Sequence, residues 1–555
     1  MTDPHSSPWE AWLNKWFVLL LAPGILINAS GLFVRIIEPD GALYAMIART
    51  IAETGDFIHL RVEGRDWLDK PHFPFWMAAI SFRIFGINSF AYKLPALLFW
   101  AAGAAYVHRL SKDIYGRAVA QLSVLIYVSA AHLVISNNDV RAEPYLTGLV
   151  IGAVYHFYKA SRVRPGWHLV AGSLLAACAM MTKGPFVLVT IGGGFVLDWI
   201  AGKEWAQFRA IRWWLALLLT GIFIIPELYC LYVQFDLHPE TQVFGRTGVS
   251  GIRFFFWDSQ FGRFFNTGPI KGSGDLFFYF HTLLWAFLPW SLLLYASVLR
   301  SITRRTVPGD RIFLGGALIS FAMFSLSRFQ LPHYLNILFP FFAILTASYL
   351  YSVRRRIAIR VITLVQGIII IILPALVLVL CWLFHFYGWI YVLLVFLALS
   401  ILPFYWFRGN PLTSAAGRSY WMALLVFLFI NSCLYPALLR YQAGMVAGDY
   451  LRRQFPSCNI LYMPEKGPDN FSIEFYSPCP VRRVPLDSLP ALLAREQLLF
   501  FVRPAFSDTL LREGYHVDRL QRFPNFHVSQ LSGEFLDHRT RDRSLEWFEL
   551  VRVSH

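Results

Sequence analysis

The residues FPFWMAAISFRIF, positions 73–85, decide how this chain lies in a membrane. The run is apolar, but thirteen helical residues extend only ~20 Å at ~1.5 Å each, short of a ~30 Å hydrocarbon core. Arg83 stands near its end. If this run crossed the bilayer, every basic connection after it would change sides. We therefore expect it to form an interfacial helix, about 73–86, lying along the membrane surface.

Working outward, the first apolar run, Trp16–Val34, is long enough to cross, and no small-residue cleavage pattern follows it. Further runs fall near 92–108, 117–136, 144–158, 167–182, 185–200, 213–234, 277–299, 312–327, 333–351, 358–381, 387–407 and 419–438, about thirteen spans in all. Alternate connections are basic, among them Arg109/Lys112/Arg117, Lys203/Arg209/Arg212, Arg354/Arg355/Arg356/Arg360 and Arg408/Arg418. The positive-inside rule places these in the cytoplasm, and an odd number of spans then exports the C-terminus.

Composition agrees. The 555 residues are 56% hydrophobic, 17% aromatic and only 15% charged, with a mean hydropathy of +0.50. This excludes a cytosolic enzyme. The 49 Lys and Arg against 34 Asp and Glu give a net charge of +15, which the connections explain as topology rather than as a nucleic-acid surface. Six cysteines without a Cys-x-x-Cys pair give neither a disulfide-rich scaffold nor a structural zinc site.

From Tyr441 onward charges and prolines return, and apolar runs shrink to strand length at Asn459–Met463, Ser472–Tyr476, Leu498–Val502 and Trp547–Val553. The expected architecture is an all-α polytopic membrane domain over 1–440, containing an exported loop at 35–72, followed by a small α/β periplasmic domain over 441–555. Cys458 and Cys479 there either close a loop of about twenty residues or stay free thiols.

Ionisable groups are costly at membrane depth, so those gathered at span ends on the exported face carry the most information. Asp40 stands just before a helical pattern (ALYAMIARTIAE), where spacing alone reads first as an N-cap and second as a catalytic acid. Asp69-Lys70-Pro71-His72 sets an acid beside a base just before the interfacial helix; its lysine can meet a lipid phosphate or simply snorkel. Asn137-Asn138-Asp139-Val140-Arg141-Ala142-Glu143-Pro144 is too polar for a short corner, and Lys183 occupies a tight turn between apolar helices. His238-Pro239-Glu240 and the run Arg253–Phe264, which includes Gln260 and Arg263, share the loop 235–276. Ser327–Tyr334 contributes His333 and Tyr334. Together they read as an interfacial active site.

Asp40 through Phe90 resembles the first periplasmic loop of the lipid A aminoarabinose transferase and protein O-mannosyltransferase relatives. That loop starts at Asp-Glu, passes through Tyr, Ile-Ala-Arg and Gly-Asp, and ends in an acid-Lys-Pro-Pro step. Asp139, Thr182-Lys183-Gly184-Pro185, the Phe-Phe-Phe-Trp run ending at Arg263-Phe264, and Leu331-Pro332-His333-Tyr334 match in order. The resemblance implies a GT-C glycosyltransferase of the bacterial inner membrane. Such enzymes take a sugar from a polyprenyl-phosphate carrier and pass it, outside the cytoplasm, to a lipid, glycan or protein. Their partners are that donor, the acceptor and membrane lipids, with no nucleic acid.

Carried over residue by residue, Asp40 matches the acid at the reaction centre, where it would act as a base toward a hydroxyl acceptor or position a phosphate one. Lys70 matches the carrier-phosphate lysine, with Arg263, Tyr334 and His333 beside it. Asp69 matches a Glu that can help hold a divalent metal. Gly41 replaces the second acid of the family pair, so either one carboxylate does the work, or Asp40 has a catalytic partner from elsewhere, Asp139 or Glu143. Gln260 stands where the aminoarabinose transferase has a metal-binding His, although His238 is near in sequence; no metal or other cofactor is assigned. Arg141, Glu143, Lys183, Asp69 and His238 are expected to touch substrate. Two other classes remain: a transporter or flippase for lipid-linked saccharides, which calls for mid-span ionisable groups and inverted repeats, and an O-antigen ligase, which lacks the acid-to-Lys-Pro step.

Overall fold

A computed structural model describes residues 8–162, 166–303, 309–494 and 497–555. Each of the apolar runs falls on helix. Seven helices among the described residues are long and apolar enough to cross a membrane: Pro8–Phe33, Ser89–Tyr115, Ile211–Asp236, Pro332–Ser352, Arg356–Phe384, Trp389–Trp406 and Pro411–Tyr441. An eighth is bent by 52° between Arg117–Ser129 and Ala131–Asn138. The remaining runs form shorter helices, such as Glu143–Arg162, Trp167–Lys183 and Val187–Gly202. Phe73–Phe85 is one helix, ended by Gly86 at φ 78°.

The chain divides into two compact units. The first comprises Met1–Phe33, Ala48–Ala375 and Leu397–Leu428. Its helices pack closely where side chains are small: a Cβ on Gly148 would lie 2.0 Å from the carbonyl oxygen of Phe99, so only glycine lets helices Ser89–Tyr115 and Glu143–Arg162 touch there. The polar corner at 137–144 partly serves this packing. Asn137 donates to Asn28 at 2.7 Å, and the buried Lys93 ammonium donates to the carbonyls of Asn138 and Gly31 at 2.5 and 3.2 Å. The corner thus supplies a backbone carbonyl to a lysine held inside the helix array, and its Asn137 amide ties it to Asn28.

The second unit comprises Val34–Ile47, Leu376–Phe396 and Phe429–His555. Besides the tail from Tyr441 it takes in part of the first loop and the segment around His385. A short hairpin, β1 (Arg61–Val62) and β2 (Arg65–Asp66), belongs to the first unit. The second carries a five-stranded sheet: β3 (Leu461–Pro464), β4 (Val481–Val484), β5 (Leu498–Val502), β6 (His516–Asn525) and β7 (Glu546–Ser554). The strand order is β4-β3-β5-β7-β6. β3 runs parallel to β4 and β5, and β7 antiparallel to β5 and β6. Leu461, Phe501, Phe548 and Leu550 fill one face, and Phe500, Leu510, Val551 and Val553 the other. Cys458 and Cys479 form a disulfide with Cα atoms 5.7 Å apart.

One expected strand is corrected. Ser472–Tyr476 lies in a helix, Phe471–Tyr476, because Asn470 accepts the backbone N–H of Ile473 and caps the turn. Within this unit Arg541 is buried. It donates to the carbonyls of Phe384 and Phe535 at 2.7 and 2.9 Å and to the Tyr441 hydroxyl at 3.0 Å.

Candidate active site

In the first unit a cavity of about 490 Å³ is lined by Asp69, Lys70, Lys183, Glu227, Arg263 and Tyr334, and by phenylalanines that include Phe186, Phe254, Phe256, Phe261, Phe264 and Phe329. Its size is that of a small-molecule site. Segments distant in sequence build it, and each has a local reason for its place.

Asp69-Lys70-Pro71 precedes the helix Phe73–Phe85, and His72 anchors that step. Its backbone N–H donates to Glu227 Oε2 at 3.1 Å, its Nδ1 lies 3.0 Å from Glu227 Oε1, and its Nε2 lies 3.0 Å from the carbonyl oxygen of Ile58. A carbonyl only accepts, so Nε2 carries a proton, and Nδ1 and the carboxyl share another between them. Both side chains are fully enclosed. Arg263 follows a π-helical turn, Phe254–Gly262, that presents its aromatic residues to the cavity. Gly184, at φ 114°, lets Gln260 approach: a Cβ there would lie 2.3 Å from the Gln260 amide nitrogen.

The charges pair closely. Lys70 Nζ is 2.6 Å from Asp69 Oδ2, and Arg263 donates to the other oxygen of the same carboxylate. Burial pushes the Asp69 carboxyl up, but Lys70 and Arg263 outweigh it and hold the group below its ordinary value. Lys183 is bonded to Glu143, and its ammonium lies 3.9 Å from the centre of the Tyr334 ring. His333 Nε2 stands 3.7 Å from the same Glu143. Arg263 also lies over the Phe329 ring at 5.6 Å.

Of the residues expected from the sequence, Asp69, Lys70, Lys183, Arg263 and Tyr334 line one cavity, with Glu143 and His333 directly behind Lys183. Asp139 and Arg141 are instead bonded to each other at 2.9 Å and are not among the lining residues. His238 is exposed and sits 2.9 Å from Glu240. Asp40 is the first residue of the helix Asp40–Thr54 and belongs to the second unit.

The donor set does not fit a divalent metal. Asp69 is bonded to two cations, a glutamine stands in the cavity wall at Gln260, and His238 is held elsewhere. Among the described residues no group of three or more His, Cys, Asp or Glu is placed to hold one. Sequence reasoning missed Glu227 and His72. The signal was present: Glu227 is a lone acid inside the apolar run 213–234, an expensive placement that calls for a partner.

The family model of dolichyl-phosphate-mannose-protein mannosyltransferases matches residues 69–230, beginning at the acid that holds Lys70 and Arg263. The crystal structure of ArnT from Cupriavidus metallidurans bound to undecaprenyl phosphate superposes with a TM-score of 0.73 at 18% identity, covering 97% of this chain and 98% of that one. The apo form of the same protein gives 0.74. The fold is that of the ArnT structure. By sequence, the undecaprenyl phosphate-α-4-amino-4-deoxy-L-arabinose arabinosyl transferase of Edwardsiella ictaluri is 27% identical over 322 residues, which cover 56% of this chain and 55% of the relative. The chain therefore matches little more than half the length of that aminoarabinose transferase. An uncharacterized protein of Aquifex aeolicus is 22% identical over 471 residues, covering 84% of this chain and 87% of its own. The resemblance to GT-C glycosyltransferases of the aminoarabinose transferase and mannosyltransferase kind thus holds in both sequence and fold.

Proposed function

We propose that this chain is a membrane glycosyltransferase that moves a sugar from a polyprenyl-phosphate carrier to a lipid A-like lipid, a glycan or a protein. The observation that carries the reading is one cavity in which Lys70 and Arg263 share Asp69 among phenylalanine walls. A carrier needs cations for its phosphate and an apolar surface for its isoprenoid chain, and both are here. The relatives named as arabinosyl transferases and the ArnT structure holding undecaprenyl phosphate support the same donor class. The transferred sugar is a pentose or a hexose.

In the reaction the acceptor oxygen bonds to the anomeric carbon as the bond from that carbon to the carrier phosphate breaks. The phosphate leaves with the electron pair, so negative charge grows where Lys70 and Arg263 stand. Tyr334 adds an O–H donor, and Asp69 holds both cations in place. Lys183, oriented by Glu143 with His333 beside it, touches substrate. Asp40 keeps the acceptor-activating role that the sequence resemblance implies, and its Asp40→Asn variant tests it alone. No step passes through a metal.

The proposed topology has about thirteen spans, in which the shorter helices cross beside the seven long ones. Positive-inside asymmetry supports placing the chain in a bacterial inner membrane, with the cavity and the domain over 441–555 on the periplasmic face.

One observation favours a second reading. The enclosed Glu227 and His72 supply an ionisable pair at a span, as a transporter of lipid-linked saccharide would use. A single assay separates the two. Membranes carrying the protein are incubated with a labelled polyprenyl-phosphate sugar. Label entering lipid, glycan or protein, and lost with Lys70→Ala, supports transfer. Equal labelling by Lys70→Ala removes the site, whereas movement of intact donor without transfer replaces the enzyme by a transporter.

A further inference from the structure

A second groove in the first unit runs between the helices Arg356–Phe384, Trp389–Trp406 and Pro411–Phe429, has a volume of about 930 Å³, and shares no lining residue with the cavity at Lys70. Among the described residues its lining holds Arg360, Arg408 and Arg418 and no carboxylate. Arg418 spends one Nη on the Phe407 carbonyl at 2.8 Å, while its Nε is shut off from solvent without a hydrogen-bond partner among the described residues. Among the described residues Arg408 donates only to the Phe404 carbonyl, at 3.4 Å, and lies over the Tyr405 ring. Three like charges around one groove repel each other unless an anion joins them.

Along the same groove, Leu364, Ile368 and Ile371 are 66%, 49% and 71% exposed. Spaced i, i+4 and i+7, they form one apolar stripe of the helix Arg356–Phe384. Any lipid chain could cover that stripe. The arginines add a demand that a zwitterionic lipid meets poorly, because its own ammonium competes for the phosphate. We infer that this groove binds an anionic phospholipid, with the head-group phosphate on Arg360, Arg408 and Arg418 and an acyl chain along Leu364, Ile368 and Ile371. Charge complementarity and the apolar track select the same occupant, and the inference stands apart from the glycosyl-transfer reading.

The test uses the full chain purified in neutral detergent, with phosphatidylglycerol, phosphatidylcholine or inorganic phosphate added, and native mass spectrometry as the readout. Phosphatidylglycerol is expected to stay bound at detergent concentrations that strip phosphatidylcholine. A basic residue near an anionic head group is worth roughly fivefold in affinity, so the triple variant Arg360→Gln, Arg408→Gln, Arg418→Gln should bind it about a hundredfold more weakly. Lys70→Ala should leave this binding intact. Equal retention of phosphatidylcholine, full competition by inorganic phosphate, or undiminished binding by the triple variant overturns the proposal. Should the triple variant not fold, wild type labelled with a photoreactive phosphatidylglycerol decides: label on peptides 356–371 and 404–418 supports the site, and label elsewhere removes it.

Discussion

Asp69 and Asp449 are both half-buried aspartates bonded to an arginine, yet they are built for different ends. Asp449 takes Arg35 in a two-pronged fork at 2.7 and 2.8 Å, one anion for one cation. The Tyr476 ring lies 4.5 Å from the guanidinium. Asp69 is divided between Lys70 and Arg263, in a cavity whose lining adds Lys183. A fork matched one to one is a fastener. A carboxylate split between two cations at a cavity wall holds them in register while an incoming phosphate can take its share of both.

The strongest way to break this contrast is to remove the cations. Lys70→Ala is expected to lower sugar transfer by roughly 10²–10³-fold, the usual cost of losing one preorganised donor to developing charge. Initial rates with a labelled polyprenyl-phosphate sugar measure it, on variant protein whose cooperative unfolding shows that it is folded. A rate near wild type would make the Asp69 cluster a fastener too.

The second unit should answer in stability instead. Cys458→Ser with Cys479→Ser opens a link across a sequence separation of 21, worth about 3 kcal/mol by loop closure. Thermal unfolding of the detergent-solubilised protein should show that loss, and reductant should reproduce it in wild type. Next in size, Arg35→Ala and Asp449→Ala are each expected to cost about 1 kcal/mol or less, since both side chains keep contact with water. A double-mutant cycle read by chemical denaturation isolates the pair. A coupling energy much above that value would mean the fork supports more than its own contact.

The same contrast marks what was legible in the amino-acid order. Asp69, Lys70, Lys183, Arg263 and Tyr334 could be gathered in advance because they stand at span ends on one face and because the family resemblance matches their motifs in order; charge placement alone left Lys70 open to a snorkelling role. Asn137 looked functional by that logic but its amide serves Asn28, and Asn138 gives Lys93 its backbone carbonyl, partnerships invisible until helices are assembled. Glu227 was hidden by its surroundings, one acid in a run that otherwise reads as lipid-facing. In the second unit β6 escaped notice because its sequence, HVDRLQRFPN, is mostly polar. It lies at the sheet edge, where Arg522 meets Glu549 of β7 at 2.7 Å, and edge strands are commonly charged. Hydrophobic periodicity reports burial, so it finds central strands and helices and passes over edges.

The smallest expected effect sharpens the comparison through pH, by setting Asp69 against Glu38. Glu38 accepts the backbone N–H of Ser472 at 2.7 Å, and its own N–H donates to Gln442 at 3.0 Å. Its sheltered position pushes the carboxyl up, only partly opposed by Ser472, so its value in the folded chain exceeds the ordinary 4.5. The folded state then binds more protons than the unfolded one between those two values. Its contribution is complete below the ordinary value and is lost as pH rises through the folded one. Asp69 has the opposite sign: its carboxyl is lowered, so its contribution is complete above the ordinary value of 3.8 and fades as pH falls through the folded one. Glu38→Gln keeps an acceptor for Ser472 and removes the titration. Unfolding of the full chain from pH 4 to pH 7 should therefore show a decline in wild type that is shallower in Glu38→Gln. An identical decline in wild type and Glu38→Gln would place the titrating group elsewhere.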